Sequence, residues 1–362
     1  MRKHQRLAAF LEERVVRGDY ALMGFPGVRE VAAESGVSLM TAHRAVQLLI
    51  EKGVVARRPS GRSKAGIKRR PTKGFTVGII MPPTRTEYGW LWHNELETAA
   101  AACGAVVRVV ICNHWNDALV VEALRGFDGV FSFQFPNDLP EQAQELIANS
   151  TTPVVSLDMD LSNFKIPSIL AFPPGCCRTL LDHLYSLGHR RIGCLNTFPE
   201  VIDIPLRINE WQEWMTGKKL DGPLYNDHDA KLEKPHSLAL RAHALVVSKV
   251  KAGGLNATAL MCTTTWAALG AMRGLQECGL RVGRDVSIVV VNDEGMSELV
   301  YPTLTAIRMP DVTPQLKKCI QMMMRGGKWK GGTVDDLAKK SIVCGAVQRP
   351  CPAGVDFDGG NL

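Results

Sequence analysis

The feature that most constrains this chain is a regular alternation of short apolar runs and helix-patterned stretches from about residue 75 to residue 291. The first apolar runs, at 76–81, 106–111, 129–133 and 153–157, are separated by stretches with helical spacing. Repeated units of this kind predict parallel strands joined by right-handed crossover helices, with helices on both faces of the sheet. The expected fold class is therefore α/β, built from doubly wound parallel sheets.

A second series of strands and helices follows, with strands expected at 192–196, near 221–225, at 257–262 and at 286–291. Roughly 290 residues exceed one typical unit of this fold, so we expect two lobes. Lobe 1 is expected to take residues 75–173 and 304–333. Lobe 2 is expected to take residues 174–303 and 334–350, which leaves 351–362 as a tail.

Charge separates the first 74 residues from the rest of the chain. They carry 16 Lys and Arg against 6 Asp and Glu, a net charge of +10. The remaining residues carry 27 basic against 30 acidic side chains, a net charge of −3. A basic head on a nearly neutral body suggests that the head has a polyanionic partner.

Three helices are predicted in this head. Apolar residues from Leu7 to Val15 recur at helical spacing, and a short second helix begins at Val28 and stops near Gly36. Ser38 has the position and chemistry of an N-cap for a third helix, which ends at Gly53. Two helices joined by a tight turn form a helix-turn-helix.

A basic segment follows the third helix. Residues 54–58 are strand-like, and the turn around Gly61 and Arg62 predicts a hairpin wing that lies on a phosphate backbone or enters a minor groove. We therefore assign residues 1–66 to a winged helix-turn-helix DNA-binding domain. Residues 67–74 are assigned to a basic linker, which either follows the DNA surface or serves only as a tether.

The run FPGVREVAAESGVSLMTAHRAVQLLIEKGVVARRPSGR, residues 25–62, resembles the GntR-type winged helix-turn-helix. The residues that fit the pattern of that family are Pro26, Arg29, Ala32, Gly36, Val37, Ser38, Thr41, Ala45, Leu49 and Gly53. The resemblance implies that phosphate or sugar contacts come from Arg29, Ser38 and Thr41, and from the wing at Gly61 and Arg62.

The exposed face of the third helix departs from the GntR pattern. Leu39 and His43 stand where many members carry arginine, the residue that reads guanine with two hydrogen bonds. Leu39 or Met40 can contact a thymine methyl group, or instead pack against a neighbouring element. Hydrogen bonds to base edges are expected from His43, Arg44 and Gln47. The operator is therefore expected to be atypical for the family.

The body resembles the effector domains of LacI/GalR-type regulators. The similarity lies in DHLYSLGHRRIGCLN, residues 182–196, and in the long run from Ala257 to Pro310 that includes RDVSIVVVNDEG and PTLT. The resemblance implies two α/β lobes joined by three crossovers, with a ligand held in the cleft between them. It assigns His189 to a structural turn.

The resemblance also implies the residues that contact the effector, which are Arg85, Tyr88, Gln134, Asp158, Arg207, Thr264 and Asn292. A sugar needs hydrogen-bonding side chains of this kind and an aromatic platform, for which Trp90 and Trp92 are candidates unless they pack in the core. Thr264 and Asn292 replace more usual acceptors, which argues against an ordinary hexose. For Asp158 and Arg207, a structural ion pair or a contact with solvent is the alternative.

Motifs of known catalytic chemistry are missing from the sequence: a nucleophile elbow, a glycine-rich phosphate loop after the first strand, and HExxH. GntR heads also occur with a body that resembles pyridoxal-phosphate aminotransferases, but no recognisable Schiff-base lysine motif is present. We expect neither an enzyme nor a cofactor. An architectural DNA-binding protein without an effector remains a further alternative.

The ten cysteines show no CxxC and no metal-ligand spacing, which favours free thiols and no metal site. No apolar run is long enough for a membrane span, and no secretory signal is apparent, so a cytoplasmic protein is expected. The sequence as a whole predicts a DNA-binding transcription regulator that acts as a repressor. Its expected partners are a double-stranded DNA operator, a sugar-like effector and a second copy of the chain.

Overall fold

The computed structural model describes residues 2–20, 22–55, 74–83, 87–133, 139–199, 203–227, 235–326 and 342–343. Several residues with predicted roles lie outside these ranges. They are Arg85 and Gln134 of the effector cleft, Gly61 and Arg62 of the wing, the linker up to residue 73, and the tail from 351 to 362.

The head contains three helices, α1 (Lys3–Val16), α2 (Val28–Ser35) and α3 (Leu39–Glu51), at the predicted positions. Their apolar faces enclose a small core that includes Leu11, Val31 and Leu49. Ser38 caps α3 as predicted, because its side chain accepts a hydrogen bond from the Thr41 amide at 3.3 Å. Gly36 ends α2 with a φ of +60°, a conformation that glycine adopts without steric cost.

The first sheet of the body contains five parallel strands in the order β2-β1-β3-β4-β5. The strands are β1 (Phe75–Met81), β2 (Ala105–Ile111), β3 (Gly129–Phe133), β4 (Val154–Leu157) and β5 (Ser168–Ile169). The helices between them are α4 (Glu87–Cys103), α5 (Ala118–Gly126) and α6 (Glu141–Ala148). Of the five strands in this sheet, only β5 was not predicted, because two residues are too few to show a period.

The second sheet has the order β11-β10-β9-β8-β6-β7. All of its pairings are parallel except that of β10 with β11. The strands are β6 (Ile192–Asn196), β7 (Leu224–Asn226), β8 (Ala259–Cys262), β9 (Ser287–Val290), β10 (Thr305–Ile307) and β11 (Ile342–Val343). The helices are α7 (Cys176–Ser186), α8 (Ile204–Gly217), α9 (Pro235–Lys251) and α10 (Thr265–Glu277). The α/β class with parallel sheets is confirmed.

The chain passes between the lobes at three places. The first crossover segment, residues 170–175, leads from β5 to α7. After β10 the chain returns to lobe 1, where α11 (Thr313–Met324) packs against α4. It then reaches β11 of the second sheet. The return was predicted at about residue 304, but β10 still pairs with β9, with Ala306 beside Val290, so it comes after Ile307.

The inner strands β3, β4, β6, β8 and β9 are buried on both faces, as parallel strands covered by helices should be. His189 is buried beside the starts of β8 and β9 in the second sheet. Its Nδ1 lies 2.9 Å from Thr258 Oγ1, and its Nε2 lies 3.0 Å from Ser287 Oγ. Burial lowers the pKa of its imidazole to about 4. A neutral ring that joins the starts of two neighbouring strands agrees with the structural role that the sequence indicated.

Candidate effector cleft and DNA-binding surface

Three of the predicted effector residues lie at the carboxyl ends of parallel strands. Asp158 directly follows β4, Thr264 lies two residues beyond β8, and Asn292 lies two residues beyond β9. Open α/β sheets bind ligands at this end of their strands. Arg207 lies on α8 and reaches the same end of the second sheet, because its Nη1 donates to the Thr263 carbonyl at 2.7 Å.

Asp158 is fully buried and already bound to its own lobe. Its Oδ2 accepts a hydrogen bond from the Tyr88 hydroxyl at 2.5 Å, and its Oδ1 accepts from the amides of Ala171 at 2.9 Å and Phe172 at 3.4 Å. Burial raises the pKa of the Asp158 carboxyl and of the Tyr88 phenol. The carboxylate therefore joins α4 to the first crossover segment, which favours the structural alternative for Asp158.

Arg207 is buried and retains hydrogen-bonding capacity. Its Nη2 lies 3.9 Å from Asp203 Oδ2, and its Nε has no hydrogen-bond partner among the described residues. The guanidinium counteracts the raised pKa of both Asp203 and Asp158, so the three charges share one electrostatic environment although they lie on different lobes. A buried donor without a partner is costly, and a ligand that accepts its hydrogen bond removes that cost.

Thr264 and Asn292 lie on neighbouring strand ends. Thr264 Oγ1 caps α10 by accepting from the Ala267 amide at 3.2 Å, and Thr265 Oγ1 donates to the Asn292 carbonyl at 2.7 Å. The Asn292 side chain donates to Glu294 Oε1 at 2.9 Å, whereas its buried Oδ1 has no partner in the described part of the chain. Among the described residues, Asn292 Oδ1 is therefore an acceptor without a partner, whereas Arg207 Nε is a donor without one.

Two acidic residues of the second lobe were missed by the sequence reasoning. Asp203 stands at the start of α8, four residues before Arg207, and this i to i+4 spacing is a signal that the sequence did contain. Glu294 follows Asn292 by two residues and is also buried. These carboxyl groups offset the acidic character lost at positions 264 and 292, which weakens the argument drawn from those positions against a hexose.

The two aromatic candidates, Trp90 and Trp92, differ in how deeply they are buried. Trp92 is fully buried in the core, which supports the packing alternative, and Trp90 is half exposed, with its ring edge against His93. Tyr88 instead lies between two aromatic rings, with ring centroids 5.9 Å from Phe133 and 5.6 Å from Phe172. The aromatic group beside Asp158 therefore consists of Tyr88, which the sequence singled out, and of two phenylalanines that it did not.

Asp203 should make the stability of the protein depend on pH. Burial raises the pKa of its carboxyl to about 7, so folding favours the protonated form. The resulting stability is fully present below the unfolded pKa near 4 and is lost as pH rises through about 7. We expect Asp203→Asn to raise stability at pH 8 by on the order of 1–3 kcal/mol, and by progressively less as pH falls toward 4.

Thermal unfolding of Asp203→Asn and wild type from pH 4 to pH 8 measures this effect. Asp221→Asn is the matched control, because Asp221 is exposed and accepts only a local backbone hydrogen bond. A stability difference between Asp203→Asn and wild type that stays constant with pH would contradict the prediction.

In the head, α3 presents one buried and one exposed face. Ala42, Ala45, Val46 and Leu49 are buried, whereas His43 and Arg44 are exposed. Leu39 and Met40 are 53% and 62% exposed, so the packing alternative finds no support. Arg29 and Ser38 are also exposed, and Thr41 and Gln47 are half buried. The predicted DNA-contacting residues of the described head are thus exposed or half buried.

Comparisons with known proteins agree with the architecture of the body. Residues 181–326 match the family model of a periplasmic binding protein-like domain. The chain is 28% identical over 171 residues to the lactose operon repressor of Escherichia coli, covering 47% of this chain and 45% of that protein. It is 23% identical over 281 residues to the transcriptional repressor CytR of Escherichia coli, covering 76% and 77%.

The chain spans about half the length of several curated relatives, including 56% of the regulator reg1 of Streptomyces lividans. The relatives named here are transcriptional regulators, which agrees with the prediction that the chain is not an enzyme.

Solved structures show the same fold. The lac repressor dimer bound to operator and the anti-inducer ONPF has a TM-score of 0.62 at 21% identity, over 77% of this chain and 95% of that one. A LacI family transcriptional regulator from Bifidobacterium animalis has a TM-score of 0.63 at 17% identity, over 76% and 98%. The body therefore has the fold of a periplasmic binding protein-like domain.

Two other kinds of feature are absent from the described residues. None of their helices is long and apolar enough to cross a membrane, and no three His, Cys, Asp or Glu side chains in these ranges are grouped to hold a metal ion. The eight described cysteines are free thiols, and six of them are buried. Burial raises the pKa of Cys112, Cys177 and Cys319 to about 12, so these thiols stay protonated.

Proposed function

We propose that this chain is a DNA-binding transcription regulator, a repressor whose operator affinity changes when a sugar-like molecule occupies the cleft. The observation that carries the proposal is the pair of buried, unpartnered polar atoms, Arg207 Nε and Asn292 Oδ1, near the strand ends of a LacI/GalR-type domain. One supplies a donor and the other an acceptor, the combination that a hydroxyl group requires. Tyr88, Asp158 and Thr264 shape the site, and Arg85 and Gln134 are proposed to complete it.

For the head we propose the GntR type of winged helix-turn-helix, occupying residues 1–66 with a linker at 67–74. The order of the helices supports this proposal, because α1 precedes the pair α2 and α3 that is joined by the tight turn. The exposed face of α3 then enters the major groove, with base contacts from Leu39, Met40, His43, Arg44 and Gln47. The wing, with Gly61 and Arg62, lies on the neighbouring backbone.

We propose a homodimer held together by the bodies, since the lac repressor structures that share this fold are dimers. A two-fold dimer presents two heads to a pseudo-palindromic operator. Effector binding brings lobe 1 (75–173, 308–333) and lobe 2 (174–307, 334–350) together and changes operator affinity by about 1–3 kcal/mol. Because its target is DNA, the protein acts in the cytoplasm.

The proposal is tested with the full-length protein. Genomic fragments are selected by binding at physiological salt, and sugars, polyols and nucleosides are screened for a rise in melting temperature, because a ligand that binds the folded state stabilises it. The compounds that raise the melting temperature are then added to gel shifts with the selected fragment. Binding no stronger than to random DNA would contradict the regulator.

The two alternative functions predict different results in these experiments. An architectural DNA-binding protein binds DNA with an affinity that no metabolite changes. A pyridoxal-phosphate-dependent regulator shows a visible absorption band in the purified protein. Arg207 and Asn292, buried with unpartnered atoms, favour the sugar-controlled regulator over both.

Arg29→Ala should weaken binding to every DNA sequence. Arg29 is exposed in the first turn of α2 and is proposed to contact a phosphate. Losing one phosphate contact reduces the slope of log affinity against log salt by about 1, whatever the sequence. Fluorescence anisotropy with specific and random duplexes at several salt concentrations measures both changes. Arg6→Ala, which removes an exposed charge from α1, is the control, and equal slopes for Arg29→Ala and wild type would remove Arg29 from the interface.

A further inference from the structure

We propose that the edge of the first-lobe sheet is a docking surface for the head. The part of the head that binds it lies between α1 and α2 and consists of residues 17–20 and 22, here called the docking loop. The contact would connect head and body independently of the linker. A regulatory role for this contact rests on the proposed function, whereas the existence of the contact is independent of it.

Arg108 is the centre of the polar contacts. It lies on β2, the edge strand of the first sheet, and its Nε donates to the Arg17 carbonyl at 2.5 Å. Its guanidinium also forms an ion pair with the Asp19 carboxylate. The side chains of Arg108 and Asp19 are only 34% and 25% exposed, so this pair is less screened by solvent than an ordinary surface pair.

The ion pair continues into the helix-turn-helix. The second oxygen of Asp19, Oδ2, lies 3.2 Å from Arg14 Nε, and Arg14 Nη1 lies 3.3 Å from Glu34 Oε2 on α2. Charges of alternating sign thus run from β2 through the docking loop and α1 to α2. A displacement of β2 acts on the helix that precedes the recognition helix.

Apolar and steric contacts support the same docking. Leu22 packs against the apolar cluster of lobe 1 that contains Ile80 and Val110. Gly18 has a φ of +76°, and a Cβ atom there would stand 2.7 Å from the methyl group of Thr76 on β1. Glycine therefore meets two requirements at this position, the left-handed backbone and the close approach of the loop to the sheet.

The docking also explains how the edge of the sheet is covered. An exposed edge strand offers unpaired backbone groups to other chains, and folded proteins commonly cover or charge such edges. Arg108 places a charge on this edge strand, and the docking loop lies against it. With one attachment at the linker and a second at Arg108, the head is oriented relative to lobe 1 rather than merely tethered to it.

Hydrogen–deuterium exchange of the full-length protein, without DNA or effector, tests the docking. In Arg108→Glu we expect amides of residues 14–22 to exchange roughly tenfold faster than in wild type, because charged hydrogen bonds across the contact are lost. The exchanged pair Asp19→Arg with Arg108→Glu should recover much of the protection. Arg281→Glu is the control, because Arg281 pairs with Asp285 on the surface of lobe 2.

Unchanged exchange at residues 14–22 in Arg108→Glu, or the same acceleration in Arg281→Glu, would overturn the docking. If Arg108→Glu does not fold, Asp19→Ala removes the same ion pair from the head side and gives the same comparison. Because neither DNA nor effector is present, a negative result here is distinguishable from a failure of the proposed function.

Discussion

Arg207→Ala is expected to abolish the effect of the ligand on operator affinity and to leave operator affinity without ligand unchanged. Arg207 lies on α8, remote in the chain from the head, and its buried Nε, which has no hydrogen-bond partner among the described residues, is proposed to bind the ligand. Hydrogen bonds from a charged donor contribute about 1.5–3 kcal/mol each. Loss of one such bond therefore weakens ligand binding by roughly 10- to 100-fold.

Removing this arginine also takes a cation away from Asp158 and Asp203, which destabilises the ionised carboxylates at neutral pH. Arg207→Lys separates the two effects, because it keeps the charge but not the planar set of donors. We expect Arg207→Lys to fold with little loss of stability and still to bind the ligand poorly.

Arg178→Ala is the matched control, since Arg178 forms exposed ion pairs with Glu210 and Glu213 on the same lobe. Melting temperatures and gel shifts, each with and without the compound identified in the screen, give the comparison. A ligand response in Arg207→Ala equal to that of wild type would remove this residue from the site.

Arg44→Glu is expected to reduce operator affinity at least about 100-fold, because it replaces a cation that is proposed to face the DNA groove by an anion next to the phosphates. Arg44 is exposed on α3, on the surface formed with His43 and Met40. Its replacement leaves the cleft untouched, so the rise in melting temperature caused by the ligand should be the same as in wild type.

Arg6→Glu changes the net charge of the head by the same amount on α1, where Arg6 is exposed. A much smaller loss of affinity in Arg6→Glu assigns the effect to the α3 surface. Equal losses in both variants would mean that total charge alone controls binding, and would contradict the proposed recognition helix.

The regular elements were predictable because local signals and tertiary burial agree along this chain. Ser38 and Gly36 mark the ends of the head helices with side-chain and backbone chemistry that depends on neighbours in the sequence. Strands such as β3 and β6 are continuous apolar runs because both of their faces are buried. Short elements were missed, because β5 and β10 contain two and three residues and exist only through their pairing partners.

The candidate site was predictable only in part, because its groups are brought together by tertiary structure. Arg207 was found through a motif. Asp203 and the Thr263 carbonyl occupy part of its guanidinium and so determine which nitrogen atoms are left without a partner in the described residues, and the motif does not reveal them. Asp158 was found at the correct strand end. Its engagement with Tyr88 and two amides depends on residues 13 and 70 positions away, which no local pattern reveals.

The hydrogen bonds that Asp158 accepts from Ala171 and Phe172 have a mechanical consequence. They fasten the first crossover segment to lobe 1 as far as Phe172. Pro173 and Pro174 follow, and their rings fix φ, so Gly175 is the first residue beyond the anchor with wide backbone freedom. In this crossover, any closing of the proposed cleft therefore has to be absorbed by the three residues between the anchored Phe172 and the start of α7.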